Sequence, residues 1–220
     1  MHELVILGAG GFARETLDVV EAVNALSPTF DVRGFADDAP SDLALQRLAE
    51  RGHRHLGRID DVLAAHPRAS VIIAVGSPEH RAAIAARVPN ERAATAVHPR
   101  ASVGSRTVIE PGTVICAGVL VSTNVRIGRH AHLNPGAIVG HDSVLADAVS
   151  LNPGAVVSGD VRIDERVLVG ANAVVLQGLH IGAGVTVGAA ACVTKDAPAG
   201  VTLVGVPAHD HRTRGKSQSS

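Results

Sequence analysis

Two adjacent residues, His141 and Asp142, carry the side chains that acid–base catalysis most often uses. An imidazole accepts a proton near neutral pH, and a carboxylate beside it can orient or polarise the ring. Because the chain contains 12 histidines, residue type alone does not assign a role to this pair. The histidine pairs at 53 and 55, 130 and 132, and 209 and 211 have no third ligand at a metal-site spacing, so we expect them at the surface.

A glycine-rich segment with Gly8, Gly10 and Gly11 follows the first apolar run of the chain. Glycines between a strand and a helix let a phosphate approach the backbone N–H groups at the helix N-terminus. Three interpretations are open: a site for a nucleotide-sugar diphosphate, an NAD site, or a tight turn without a ligand. The NAD site is disfavoured because the α/β pattern spans only about 95 residues, which leaves no second mononucleotide-binding half.

Polar residues follow two further strand-like runs. Asp37 and Asp38 end the second run, where a carboxylate can bind ribose hydroxyls or base N–H groups, although a solvated turn explains them equally well. Gly76 and Ser77 precede a helix-like segment, and Arg81 lies one turn into it. Since the carboxyl ends of parallel strands meet at one edge of a sheet, these residues are predicted to border the same cleft as the glycines.

The second half of the chain has a strict period of six. Every sixth residue from Val97 to Val193 is Val, Ile or Leu, without interruption. This period is typical of a coil with three flat faces, in which 18 residues complete one turn. Successive turns stack as parallel strands about 4.8 Å apart. The sequence therefore predicts a parallel β-helix of about six turns.

The same period predicts which residues become neighbours. His141 and Asp142 fall at the third and fourth positions of their hexapeptide, on the outside of the coil, and Gly159 follows His141 by 18 residues. A backbone N–H without a side chain would thus lie about one strand spacing from the imidazole. Both groups can then meet one carbonyl carbon and its oxygen, as in an oxyanion hole. The alternative is that Gly159 only eases a corner of the coil.

The first 95 residues lack this period and alternate strand-like with helix-like segments. Strands are predicted at 4–7, 31–36 and 70–75, and helices at 12–24, 41–51, 59–65 and 78–87. Such alternation indicates a small, Rossmann-like parallel α/β domain. We therefore expect an α/β domain at 1–95, the β-helix at 96–209, and a polar, disordered tail at 210–220.

Composition excludes several classes of protein. Hydrophobic residues make up 46% of the chain, but no apolar run approaches the roughly 18 residues of a membrane-spanning helix. No basic segment precedes an apolar stretch at the N-terminus, so we expect a cytoplasmic protein without a secretory signal. A net charge of −1 gives no general attraction to nucleic acid or anionic membranes. Cys116 and Cys192 have no metal-type spacing and are predicted to be packing residues.

Several motifs together resemble one family. They are GAGGFARE, FADD, AVGSPEHR, GHDSV and the closing VTKDAPAGVTLVGVPA. The hexapeptide array with these motifs is similar to the left-handed β-helix nucleotide-sugar N-acetyltransferases, which include enzymes of the perosamine and bacillosamine pathways and related sialic-acid O-acetyltransferases. The resemblance covers residues 3–210 and is strongest to the enzymes that act on GDP-perosamine.

The resemblance implies a homotrimer, with acetyl-CoA in the groove between adjacent left-handed β-helices and the nucleotide sugar held mainly by the first domain. It implies that His141 is the general base, that Asp142 is its acidic partner, and that the N–H of Gly159 binds the thioester oxygen. Asn134 is expected to contact the sugar substrate. Gly159, Ala171, Ala189 and Lys195 are expected to contact CoA, Lys195 as a phosphate ligand unless it is only solvated. No metal is expected.

The predicted reaction is acetylation of the 4-amino group of a nucleotide-linked dideoxy sugar, with GDP-perosamine as the expected substrate for surface polysaccharide synthesis. Three alternatives remain. The acceptor is a UDP-linked 4-amino-trideoxy sugar, or it is a hydroxyl group, as in sialic-acid O-acetylation. The third is a scaffold without acetyltransferase activity, including a carbonic-anhydrase-like protein in which His130, His132 and His141 meet at an interface.

Overall fold

The computed structural model describes residues 1–211, beginning with an α/β domain. Its elements are β1 (His2–Leu7), α1 (Gly11–Leu26), β2 (Phe30–Ala36), α2 (Asp42–Ala49), β3 (His55–Gly57), α3 (Ile59–Ala65), β4 (Ser70–Ile73) and α4 (Pro78–Ala85), followed by a 3₁₀ turn at Asn90–Arg92. The four strands are parallel and lie in the order β3-β2-β1-β4. β1 is central because its residues Leu4 and Ile6 are apolar and fully buried.

Each predicted strand and helix of this domain is present, and β3 is an additional strand. The three residues of β3 have no apolar alternation, so only their pairing with β2 identifies them as a strand. Helices α2 and α4 begin where the side chains of Ser41 and Ser77 accept hydrogen bonds from backbone N–H groups of the first turn.

The β-helix consists of two-residue strands, each ending at an aliphatic residue of the six-residue period, which confirms the predicted coil. Face 1 contains β5 (Ala96–Val97), β8 (Val114–Ile115), β11 (His132–Leu133), β14 (Ser150–Leu151), β17 (Leu168–Val169), β20 (Thr186–Val187) and the longer β22 (Thr202–Val204). Face 2 contains β6 (Ser102–Val103), β9 (Leu120–Val121), β12 (Ile138–Val139), β15 (Val156–Val157), β18 (Val174–Val175) and β21 (Cys192–Val193). Face 3 contains β7 (Val108–Ile109), β10 (Arg126–Ile127), β13 (Val144–Leu145), β16 (Arg162–Ile163) and β19 (His180–Ile181).

The pairing register confirms the 18-residue turn. Val139 pairs with Val121 on one side and with Val157 on the other. These aliphatic side chains and the small residues four positions after them, such as Ala155, fill the interior and are buried. The fold is a left-handed parallel β-helix. Its narrow core explains why all three phenylalanines of the chain lie in the first domain.

Glycines that directly follow an aliphatic residue of the coil are required by the close stacking of its turns. The residue that turns the chain with a positive φ stands three positions after the aliphatic residue, as at Asn124 (61°) and Asp142 (62°). Glycines directly after the aliphatic residue do not need a positive φ. A Cβ on Gly140 would lie 2.5 Å from the nitrogen of Gly159 in the next turn, so close stacking of turns is what requires glycine there.

The α/β domain covers face 1 of the β-helix. The outward residues Val114, His132 and Ser150 of this face are at most 2% exposed. The His132 imidazole stacks on Phe12 at a centroid distance of 4.2 Å, and its Nε2 donates to the carbonyl oxygen of Ile73 at 2.9 Å. Faces 2 and 3 are not covered by the described residues, and Leu120 and Ile138 of face 2 are 49% and 37% exposed.

The C-terminal end closes the coil with an antiparallel strand, β23 (His209–Asp210), which pairs with β22. Asp210, which we expected in a disordered tail, therefore lies in a strand. Residues 212–220 of the predicted tail lie outside the described residues. No helix in residues 1–211 is long and apolar enough to cross a membrane.

Candidate active site

His141 and Asp142 lie on the corner between faces 2 and 3, called the 2/3 corner here, between strands β12 and β13. The positive φ of Asp142 turns the chain at this point. His141 Nδ1 lies 2.7 Å from Asp142 Oδ2. The side chains are 62% and 48% exposed, so a substrate can reach them from solvent.

Asn124 is a further member of this site that the sequence analysis missed. It lies 18 residues before Asp142, on the preceding turn of the same corner, and its Nδ2 donates to Asp142 Oδ1 at 2.6 Å. This hydrogen bond, followed by the one from His141, lowers the pKa of Asp142 below its ordinary value. An ionised carboxylate only accepts, so Nδ1 of His141 carries a proton and Nε2 of the neutral ring has a free lone pair.

Gly159 lies directly against His141, as the 18-residue period predicts. A Cβ at Gly159 would lie 2.6 Å from both Cε1 and Nε2 of the imidazole. The Gly159 carbonyl accepts from the N–H of Gly178 at 3.1 Å, but the Gly159 N–H donates to no acceptor among the described residues. A basic nitrogen and an unused N–H donor therefore stand side by side, which is the arrangement that addition to a carbonyl needs.

The glycine-rich edge of the α/β domain provides open backbone. Gly8 has a φ of 113°, and a Cβ there would meet the carbonyl oxygen of Ala74 at 2.7 Å, so Gly8 serves the turn itself. Cβ atoms at Gly10 and Gly76 would meet nothing within 4 Å, and one at Gly11 would only touch the Arg14 guanidinium at 4.0 Å. Gly10 and Gly76 follow the neighbouring strands β1 and β4, so the structure brings them to the same edge of the sheet.

Asp37, Asp38 and Ser77 lie at this edge, but each already has a backbone partner. Asp37 Oδ2 accepts from the N–H of Ala9 at 2.8 Å and so holds the glycine-rich loop. Asp38 Oδ1 accepts from the N–H of Ile59 at 2.9 Å at the start of α3, and Ser77 Oγ accepts from the first turn of α4. These three side chains hold the backbone of the sheet edge in place, and their remaining lone pairs are available to a ligand.

The prediction that Arg81 binds substrate is wrong. Arg81 is fully buried, and its guanidinium donates at 2.8 Å to the carbonyl oxygens of His130, Val75 and Ala148, and at 2.7 Å to Ser150 Oγ. Burial lowers its pKa to about 9, which leaves it charged at neutral pH. Arg81 therefore joins the two domains and has no N–H group left for a ligand.

The prediction for Asn134 is also corrected. Asn134 is only 7% exposed, and its amide group donates to the carbonyl oxygen of Leu151 at 2.9 Å. It lies on the corner between faces 1 and 2, the 1/2 corner, directly below Asn152 of the next turn. The side chain fixes this corner, and its amide N–H group is not free for a sugar.

The residues predicted to contact CoA lie on two different corners. Lys195 shares the 2/3 corner with Gly159 and His141, and is exposed. Ala171 and Ala189 follow strands β17 and β20 of face 1, so they lie on the 1/2 corner. Within one chain, face 2 therefore separates Gly159 and Lys195 from Ala171 and Ala189.

The histidines of the carbonic-anhydrase alternative do not come together. His132 is buried under the α/β domain with its Nε2 bonded, and burial lowers its pKa well below the ordinary value. His130 is 5% exposed and packs on Gly112. Residues 1–211 contain no group of three His, Cys, Asp or Glu side chains that could hold a metal ion. Burial also raises the pKa of the Cys116 thiol to about 12, which makes this cysteine a poor nucleophile.

Comparison with known proteins finds relatives of the first domain and of nearly the whole chain. Residues 3–88 match the PglD N-terminal domain family. The whole chain is similar to a histidine variant of perosamine N-acetyltransferase from Caulobacter crescentus, solved in complex with CoA and GDP-perosamine: identity is 27%, the TM-score is 0.83, and the match covers 96% of this chain and 97% of that one. This chain is therefore similar, over nearly its whole length, to hexapeptide-repeat sugar N-acetyltransferases.

Two further solved structures are similar to nearly the whole chain. The acetyltransferase domain of PglB from Neisseria gonorrhoeae is 26% identical with a TM-score of 0.80, and WeeI from Acinetobacter baumannii is 26% identical with a TM-score of 0.79. Both matches cover 96% of this chain and 100% of the other. No curated protein matches the sequence. The resemblance drawn from the sequence motifs is confirmed.

Proposed function

We propose that this acyltransferase moves an acetyl group from acetyl-CoA to the amino group of GDP-perosamine or a closely similar nucleotide-linked amino sugar. The observation that carries the proposal is the meeting of a basic imidazole nitrogen on His141 with the unused N–H of Gly159. The choice of acceptor is supported by the Caulobacter crescentus relative, whose structure contains CoA and GDP-perosamine.

The proposed reaction is a direct attack. The neutral amine of the sugar adds to the thioester carbon, and Nε2 of His141 takes the proton that the amine loses. The N–H of Gly159 stabilises the negative charge that forms on the carbonyl oxygen. The tetrahedral intermediate then collapses, the C–S bond breaks, and His141 returns the proton to the departing CoA sulfur. Asp142 stays ionised and orients the ring throughout.

Acetyl-CoA is proposed to lie along the 2/3 corner. Lys195 follows His141 by three turns, about 14 Å at one strand spacing per turn. That separation suits a basic side chain meeting a CoA phosphate while the thioester lies at His141. Ala171 and Ala189 can contact the same CoA only if the 1/2 corner of a second copy faces this 2/3 corner.

These two corners favour a cyclic homotrimer. Both flank face 2, whose outward residues Leu120 and Ile138 form an exposed apolar ladder. If face 2 of each copy points towards a three-fold axis, the 2/3 corner of one copy meets the 1/2 corner of the next, and the ring closes. The α/β domain on face 1 of the second copy then borders His141 of the first and delivers the nucleotide sugar there. We place this activity in the cytoplasm, where acetyl-CoA is available.

The test is acetyl transfer by the His141→Asn variant. With GDP-perosamine and acetyl-CoA, we expect the wild type to form the N-acetylated product, and the variant to lose about 100-fold or more in kcat because the base is gone. Size-exclusion chromatography with light scattering checks that the oligomer is unchanged. Turnover by the variant within threefold of wild type would contradict the assignment of His141 as the base. If the wild type forms product only with free sialic acid, the acceptor is a hydroxyl group and the proposed amine acceptor is wrong.

A further inference from the structure

The Asp142 carboxylate has one donor on each oxygen. Nδ1 of His141 bonds to Oδ2 at 2.7 Å, and Nδ2 of Asn124 bonds to Oδ1 at 2.6 Å. We propose that Asn124 is a positioning residue: its amide fixes the plane of the Asp142 carboxylate, and the carboxylate in turn holds the His141 ring with Nε2 against Gly159. This inference rests on the proposed function, since it concerns the same acid–base pair.

The second donor is needed because Asp142 is exposed. A half-exposed carboxylate held only by His141 can rotate and exchange its oxygens, and each rotation swings the imidazole away from the acceptor. Two charge-assisted hydrogen bonds, one to each oxygen, leave a single orientation. Asn124 is itself held by the corner, because its backbone N–H donates to the carbonyl oxygen of Ser105 at 2.9 Å.

Folding of the corner does not require this amide. Asn124 has a φ of 61°, a conformation that glycine adopts more easily, and its side chain is exposed. Within residues 1–211 its Nδ2 bonds to Asp142 alone. Arg106 occupies the equivalent place one turn earlier, also with a positive φ of 60°, and no hydrogen bond within residues 1–211 joins it to His141 or Asp142. Removal of the Asn124 amide should therefore change the pair while the fold is retained.

The decisive experiment is an NMR titration of the histidine rings in the full-length wild type and in Asn124→Asp, Asn124→Gly and Arg106→Gly, with His141→Asn to assign the signal. The charged residues on the neighbouring rungs of this corner are Arg106, Asp142 and Asp160. A second carboxylate at 124 stabilises the imidazolium, so Asn124→Asp should raise the pKa of His141 by about half a unit. Arg106→Gly is the control for the backbone change in Asn124→Gly, and the two are compared by their tautomer signals because Arg106→Gly also removes a positive charge.

In Asn124→Gly we expect the ring nitrogen shifts of His141 to move towards a mixture of tautomers. Without the Asn124 amide, the Asp142 carboxylate can rotate and no longer keeps the proton on Nδ1. With GDP-perosamine and acetyl-CoA, kcat should fall about 3- to 10-fold, as for one lost hydrogen bond to a charged group, while KM for acetyl-CoA stays within twofold. An unchanged His141 titration in Asn124→Asp, with unchanged tautomer signals in Asn124→Gly, overturns the inference. These NMR results do not depend on which sugar accepts the acetyl group, so they test the role of Asn124 alone. Full activity of His141→Asn would overturn the proposed function and not the contact between Asn124 and Asp142.

Discussion

At the scale of single residues, the proposed chemistry at the 2/3 corner involves the His141 imidazole and three residues arranged around it. Asp142 accepts a hydrogen bond from Nδ1 of the ring, and Asn124 donates to the other oxygen of Asp142. Gly159 lies against the opposite edge of the ring, at Cε1 and Nε2. Each contact joins residues that are either adjacent or 18 apart. The period therefore predicts Gly159 beside His141, and the same arithmetic applied to Asp142 predicts Asn124.

Other site residues were not predictable in this way. Asp37 looks like a ligand for a nucleotide in the sequence, but its carboxylate binds the N–H of Ala9, a contact across 28 residues that no local pattern encodes. Asn134 has the residue type of a sugar ligand, yet its position in the corner buries it. Residue type identifies what a side chain can do, whereas burial and existing partners decide what remains free to do it.

Gly159→Ala tests the proposed role of the Gly159 N–H as an oxyanion donor. The added Cβ would lie 2.6 Å from two atoms of the imidazole and would crowd the unused N–H. We expect kcat to fall about 100-fold, the usual cost of losing an oxyanion donor, with little change in the thermal midpoint because φ at this position is not in the left-handed region. Ser158→Ala, the adjacent position, should retain activity. A Gly159→Ala enzyme with kcat within threefold of wild type would refute the role of this N–H.

At the scale of elements, the contact between α4 and face 1 sets the position of the glycine-rich edge. Arg81 donates to Val75 and Gly76 within its own domain and to three backbone carbonyls of the β-helix. Apart from β3 and β23, the elements were predictable because strands, helices and hexapeptides have local periods. The docking of α4 on face 1 was not predictable from the sequence. An arginine in the first turn of a helix, at an edge expected to bind a ligand, has the position of a phosphate ligand, and only the structure shows that the second domain covers it.

Arg81→Met tests this docking. The variant leaves the buried carbonyl oxygens of His130 and Ala148 without a donor, so we expect a loss of about 3–5 kcal/mol in the free energy of unfolding. Arg87→Met is the matched control, because Arg87 makes only an exposed ion pair with Asp60, worth less than about 1 kcal/mol. Urea unfolding followed by circular dichroism measures both, and equal losses would contradict the account.

At the scale of the whole molecule, the proposed function requires a site that is shared between two copies of the chain. The α/β domain covers face 1, whereas His141 lies on the corner between the other two faces. His141 also lines neither of the two described cavities, including one of about 770 Å³ between α4 and the corner of faces 3 and 1. The site becomes complete if a second copy brings its α/β domain and its 1/2 corner to this imidazole.

Complementation between two inactive variants tests this claim most directly. His141→Asn removes the base, and Gly10→Glu places a negative charge in the open space where a phosphate approaches. The two variants are co-expressed with different tags, and trimers that carry both tags are purified and assayed with GDP-perosamine and acetyl-CoA. Every such mixed trimer has one site with an intact histidine from one copy and an intact glycine loop from the next, so we expect about one third of wild-type activity. Mixed trimers as inactive as either parent would contradict a site shared between copies.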